Sequence, residues 1–183
     1  VAPEERAAIN CLVETLANEG RAPEADELDL LRKNITATDI ALFGRMLASS
    51  PAYNVEAATQ VAHAISVNRT PDHCDYFTAV DDLNDGNEDA GSAHIGEAGF
   101  AAGVFYIYIC INKSQLVKNL GDEVLAAKAI CALIEAAVQV APSGKQNSFA
   151  SRARASYVLA EKGTQQPRSL SVAFLNPIND TDQ

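Results

Sequence analysis

The chain has 183 residues, 48% of them hydrophobic and 21% charged, an ordinary globular composition that excludes disorder over its whole length. No apolar run reaches the span of a transmembrane helix, since even 133–141 is interrupted by Glu135 and Gln139, so a soluble protein without a membrane partner is expected. The formal net charge of −10 weighs against a broad basic groove, but bases outnumber acids five to three over 142–183, and no acid falls between Pro142 and Ala160.

Pro3 to Gly20 reads as an amphipathic helix. Pro3 suits its first turn, Glu4 and Glu5 favour its positive end, Ile9, Leu12, Val13 and Leu16 form an i, i+3, i+4, i+7 stripe, and Gly20 ends it. A shorter helix is expected from about Pro23 to Lys33, completing a helical lobe over 1–38. From Asp39, Ile40, Leu42 and the following Gly44-Arg45-Met46 suit a short strand better than a third helix. Residues 55–67 fit two patterns: a helix capped by Asn54, or a strand in which Val61, His63, Ile65 and Val67 alternate with smaller neighbours. The alternation favours a strand from about Thr59 to Asn68.

Residues 69–98 are rich in Asp, Asn and Gly around one strand-like piece, Tyr76 to Val80, and the run Asn84 to Gly91 is turn chemistry. So long an insertion, expected to be partly mobile, is a candidate binding element. Phe100 to Ile111 is the clearest strand, dense in aromatic and β-branched residues. Asn112 and Asp122 then cap two consecutive helices, one ending at Gly121 and a longer one from about Glu123 to Ala141. The longer helix is expected to turn Val124, Ala127, Ile130, Ile134, Ala137 and Val138 to the core. Strands at Ala155–Glu161 and Ser169–Leu175 complete an α+β layout in which 39–68 and 99–178 build one sheet covered by a helix.

The chemistry-bearing residues point away from catalysis. Cys11, Cys74, Cys110 and Cys131 form no C-x-x-C pair and read as free thiols of a reducing cytoplasm, with Cys11, Cys110 and Cys131 as small core residues. His63, His73 and His94 lack a metal-binding spacing, and Asp81 with Asp82 has no third ligand at a recognisable distance. Neither Gly96-Glu97-Ala98-Gly99 nor Ser143-Gly144-Lys145 meets the phosphate-loop pattern, so no cofactor, metal or nucleotide hydrolysis is expected. Lys145, Arg152 and Arg154, and Arg45 beside Gly44, suit phosphate contact and fit a solvated basic surface equally well. Tyr76 and Phe77, taken alone, fit packing better than binding.

Three stretches change that balance: Asp39 to Met46; Val61 to Ser66 leading to Asp75 to Leu83, with Phe77-Thr78-Ala79-Val80-Asp81-Asp82-Leu83 the most specific; and Gly91 to Gly96 followed by Gly103 to Tyr106. With the loop Pro142-Ser143-Gly144-Lys145-Gln146, they resemble the CasC-type backbone subunit of type I-E CRISPR Cascade complexes over about residues 39–178. The resemblance implies a hand-shaped protein: an RNA-recognition-motif-like (ferredoxin-like) palm at 39–68 and 99–178, helical fingers at 1–38, and a thumb hairpin at 69–98.

It also implies several copies stacked along a guide RNA (crRNA), with other Cascade subunits and target DNA as further partners and no enzymatic role for this subunit. Met46, Tyr76, Phe77, Val80 and Ile95 fall at family positions that pack on or wedge between nucleotides. Arg45, Lys145, Gln146 and Arg152 complete the implied RNA contacts. The family's amino-terminal strand and following helix have no counterpart here, and the chain opens at Val1 with no secretory signal, so a fragment missing one palm strand is expected. Two rivals remain: a metal-dependent RNase using Asp81 and Asp82, and an acidic protein-interaction module using 1–35.

Overall fold

The computed structural model describes residues 2–33, 35–70, 73–79 and 94–178. Its elements in order are α1 (Pro3–Glu19), α2 (Thr38–Phe43), β1 (Thr59–Val61), β2 (Ile65–Ser66), β3 (His73–Ala79), β4 (His94–Phe100), β5 (Phe105–Tyr106), β6 (Ile109–Ile111), α3 (Lys113–Leu120), α4 (Glu123–Gln139) and α5 (Gln146–Phe149). Single 3-10 turns lie at Pro51–Tyr53 and Ser171–Phe174. The strands pair as three separate antiparallel two-stranded ladders, β1 with β6, β2 with β5 and β3 with β4. The α+β class is as expected; the single helix-covered sheet is not what these strands form.

Two compact units divide the chain: Val1–Val61 with Ile109–Pro167, and Ala62–Tyr108 with Arg168–Gln183. In the first, α1 forms where expected, with Pro3 in its first turn and Gly20 closing it at φ 64°. Its anchor is Glu5 rather than the apolar stripe. Glu5 is fully buried and accepts hydrogen bonds from the Ala2 N–H (2.8 Å), the Arg32 N–H (2.9 Å) and the Arg45 guanidinium (2.8 and 3.1 Å). Ile9 and Val13 stay exposed.

The helix expected at 23–33 is absent, and side chains explain why. Four carboxylates fall within Glu24–Asp29, and Arg21 grips Glu27 through both terminal nitrogens (2.8 and 2.6 Å) while Glu27 accepts the Glu24 N–H (2.8 Å), closing a turn instead.

Residues 39–43, expected to be extended, form helix α2. Ile40, Ala41 and Leu42 are buried in succession, which a strand with one covered face cannot do. Gly44 ends the helix at φ 80°, and a Cβ there would lie 2.8 Å from the Val55 carbonyl oxygen.

Helices α3 and α4 begin as the sequence indicates: the Asn112 side chain accepts the Gln115 N–H (3.0 Å), and Asp122 accepts those of Val124 and Leu125 (2.8 and 3.0 Å). The core comprises Ile35, Ile40, Leu42 and Leu116 with Ala2, Ala37, Ala41, Ala58, Ala126 and Ala129, and so many alanines make it thin. Ala126, Ala129, Ile130 and Leu133 face it, so α4 is rotated from the expected orientation; Val124 and Ile134 are exposed, as are Cys11 and Cys131, while Cys110 is half-buried. All four cysteines are free.

The strand expected over 59–68 is split into β1 and β2, and that over 100–111 into β5 and β6. The last two expected strands do not form. Residues 151–170 are exposed throughout, with Tyr157, Val158 and Leu159 unpaired, and Ser171–Phe174 is a 3-10 turn. Strand propensity is realised only against a partner strand, and none lies beside these segments among the described residues.

In the second unit, Asn68 bridges Ile178 in parallel, and its side chain accepts the Val104 N–H (3.3 Å) at the base of the β3–β4 hairpin. Tyr106 accepts the Leu170 N–H (2.9 Å) and packs against Phe174. No described residue of this unit is buried.

Candidate nucleic-acid interface

The β3–β4 hairpin is a seven-residue antiparallel arm running from the His73–Phe100 pair to Ala79–His94. Every residue of β3 is exposed, and on β4 only Gly96 and Ala98 are half-buried. Because strand residues alternate between faces and paired residues share one, the register sorts the side chains. One face carries His73, Asp75, Phe77 and Ala79 opposite Phe100, Ala98, Gly96 and His94. The other carries Cys74, Tyr76 and Thr78 opposite Gly99, Glu97 and Ile95.

Two ring pairs line the first face: His73 stacks on Phe100 (centroids 5.5 Å, planes at 18°), and Phe77 meets His94 (5.7 Å, 43°). Tyr76 is 64% exposed, Phe77 45% and Ile95 58%, so neither Phe77 nor Tyr76 plugs a core. Of the thumb candidates, Tyr76 and Ile95 thus come together and Phe77 stands on the opposite face; Val80 lies outside the described residues, as do Asp81, Asp82 and the tip 84–90. The described arm carries carboxylates Asp75 and Glu97 and no Lys or Arg, so ring faces rather than ion pairs are what it offers.

The remaining candidates lie in the first unit. Met46 is 85% exposed beside the Arg45–Val55 bridge. Arg45 is placed differently from a phosphate ligand: its side chain is only 10% exposed, Nη1 binds Glu5, Nε donates to the Tyr53 carbonyl (3.0 Å) and Nη2 to that of Arg32 (3.0 Å). Its job here is structural. Gln146 turns its amide inward, donating to the carbonyls of Pro142 and Ser151, which shapes the loop that presents Lys145. Lys145 lies over the Phe149 ring (5.9 Å), and Lys145, Arg152 and Arg154 are exposed.

His73, Phe100 and Gly96 were missed as candidates in the sequence. Only the register, once β3 and β4 are paired, reveals that they share a face with Phe77. Among the described residues no group of three or more His, Cys, Asp or Glu is placed to hold a metal, and no helix is long and apolar enough to cross a membrane. An open depression of about 300 Å³ lined by Ala2, Glu4, Arg32, Lys33 and Thr36 mixes both charges and offers no catalytic arrangement.

The fold and this site define an α+β protein with an exposed, ring-bearing β3–β4 arm. The chain belongs to the CT1975-like protein family, whose model matches residues 2–183. The CasC-type resemblance drawn from its motifs is thereby borne out. It is similar to a solved chain described as "CRISPR RNA-guided surveillance complex, pre-nicking", with 32% identity and a TM-score of 0.65 over 93% of this chain and 47% of that one. A second solved chain, "CRISPR RNA-guided surveillance complex", is 34% identical with a TM-score of 0.47, covering 82% of this chain and 51% of its own. This chain therefore spans about half the length of the solved chains it matches. No curated protein matches it.

Proposed function

We propose that this chain is a non-catalytic backbone subunit of a type I-E CRISPR surveillance complex, one of several copies that hold a guide RNA without reading its sequence and present it for pairing with target DNA. The likeness to a chain of an RNA-guided complex at 32% identity supports the assembly. In this reading the helices and short ladders of the chain belong to an RNA-recognition-motif-like palm with finger-like helices, and β3–β4 is the thumb.

The observation that carries the reading is the distribution of apolar side chains on the arm, with Phe77 on one face and Tyr76 and Ile95 on the other, all exposed. Stacking on its two faces suits every base, because each base has a π-face, and this accounts for tolerance of any guide. Met46 adds an apolar contact, and Lys145 and Arg152 meet phosphates.

Titration of the full chain with fluorescent single-stranded RNAs of unrelated sequence tests the proposal. Affinities within about threefold of one another are expected, since stacking platforms show only modest base preference. Binding restricted to one sequence, or none at low salt, would refute it.

A further inference from the structure

We propose that Gly96 is a positioning residue for base stacking: lacking a side chain, it lets the Phe77 ring lie across β4 with one ring face left open to a nucleobase. The inference rests on the arm being the RNA-binding element and goes further by naming what seats its ring.

Gly96 is the direct cross-strand partner of Phe77. A Cβ built on Gly96 would come 2.7 Å from Phe77 Cζ and 3.2 Å from Cε1, and 3.4 Å from His94 Nε2. The ring edge therefore occupies the volume that any other residue would fill. The backbone itself makes no demand for glycine, because Gly96 is not among the positive-φ glycines, which among the described residues are Gly20, Gly44 and Gly121. Glycine weakens a strand interior, and its presence in one marks a site of close approach. Here the approaching group is an aromatic ring laid over the bare backbone.

His94 closes the seat from the side, with its ring 5.7 Å from that of Phe77 and tilted by 43°. Supported on these two sides, Phe77 is still 45% exposed. A ring already held in its binding orientation loses less freedom when a base stacks on it, so the seat contributes affinity without touching RNA. The nearest atoms to an added methyl are all side-chain atoms, the far end of Phe77, which can swing aside, and His94 Nε2 at 3.4 Å. Gly96→Ala should therefore leave the hairpin paired while dislodging the ring.

Fluorescence anisotropy with a labelled mixed-sequence single-stranded RNA tests this on the full chain, using Phe77→Ala, Gly96→Ala, the double variant and Gly99→Ala. Gly99 is the control, because its added Cβ would face the opposite side and meet Cys74 Sγ at an ordinary 3.9 Å. Phe77→Ala should weaken binding about fivefold or more, the loss of at least one stacked base. Gly96→Ala should weaken it to a similar extent, the double variant should bind no worse than Phe77→Ala alone, and Gly99→Ala should bind like the wild type. Wild-type binding by Gly96→Ala alongside weakened Phe77→Ala would overturn the seat and leave the arm's role standing. A further loss from Gly96→Ala in the Phe77→Ala background would also overturn it, since that effect would not pass through the ring. Unchanged binding by Phe77→Ala would overturn both.

Discussion

Replacing Glu5 with Gln should be among the most damaging single changes in the first unit, and its cost should depend on pH. Burial alone would push the Glu5 carboxyl up, but the Arg32 N–H, the Ala2 N–H and the Arg45 guanidinium outweigh it and bring the pKa down to about 2, from an ordinary 4.5. A folded-state pKa below the unfolded one stabilises the fold above pH 4.5, and that contribution disappears as pH falls towards 2. A shift of this size corresponds to about 3 kcal/mol.

Breaking a buried pair by removing one partner costs about 3 to 5 kcal/mol. Here Glu5→Gln would leave the largely covered Arg45 guanidinium without its counter-charge. Both routes point to about 3 kcal/mol, a large share of a typical 5 to 15 kcal/mol. Urea unfolding followed by circular dichroism at pH 7, 4 and 2.5 reads the difference between wild type and Glu5→Gln. The gap should be about 3 kcal/mol at pH 7 and should shrink steadily with acid. A gap below about 1 kcal/mol at pH 7, or one that ignores pH, would refute the reasoning.

Other outcomes follow from the same structure. Leu116→Ala should destabilise the first unit by about 2 to 5 kcal/mol in the same unfolding assay, since Leu116 is fully buried in an alanine-rich core with little else to close the cavity. Asp122→Ala should cost about 1 kcal/mol by removing the acceptor of two N–H groups at the start of α4, while Asp122→Asn should retain most of it. RNA affinity should fall only shallowly with salt, with a log–log slope of about −1.4 for the two phosphate contacts of Lys145 and Arg152 at about 0.7 each. Lys145→Ala with Arg152→Ala should flatten that slope, and a wild-type slope steeper than about −5 would mean that a larger basic surface does the binding.

What could be read from the chain in advance was whatever depends on neighbours in sequence. The caps Asn112 and Asp122, the Pro3 start and Gly20 end of α1, and the strand around Tyr76 and Phe77 all rest on local chemistry, and all formed. What escaped reading depends on partners distant in sequence. Residues 40–42 became helical because all three are buried in succession, and 155–161 formed no strand, since no strand lies beside them among the described residues. Arg45 looked like a phosphate ligand until its nitrogens were found on Glu5, Tyr53 and Arg32, separations of 40, 8 and 13 residues that no local pattern encodes. The arm lies between these cases: its rings were legible, but their sorting onto two faces needed the register.

The central claim is that the arm holds RNA through base faces, and comparing a mixed-sequence single-stranded RNA with an abasic strand of equal length and charge tests it most directly. The account predicts that the abasic strand binds at least about fivefold more weakly to the wild type, the loss of one or more stacked bases. It also predicts that most of this difference vanishes in Phe77→Ala with Tyr76→Ala. Equal affinity for the two strands would show that the phosphate backbone alone is recognised and would contradict the account.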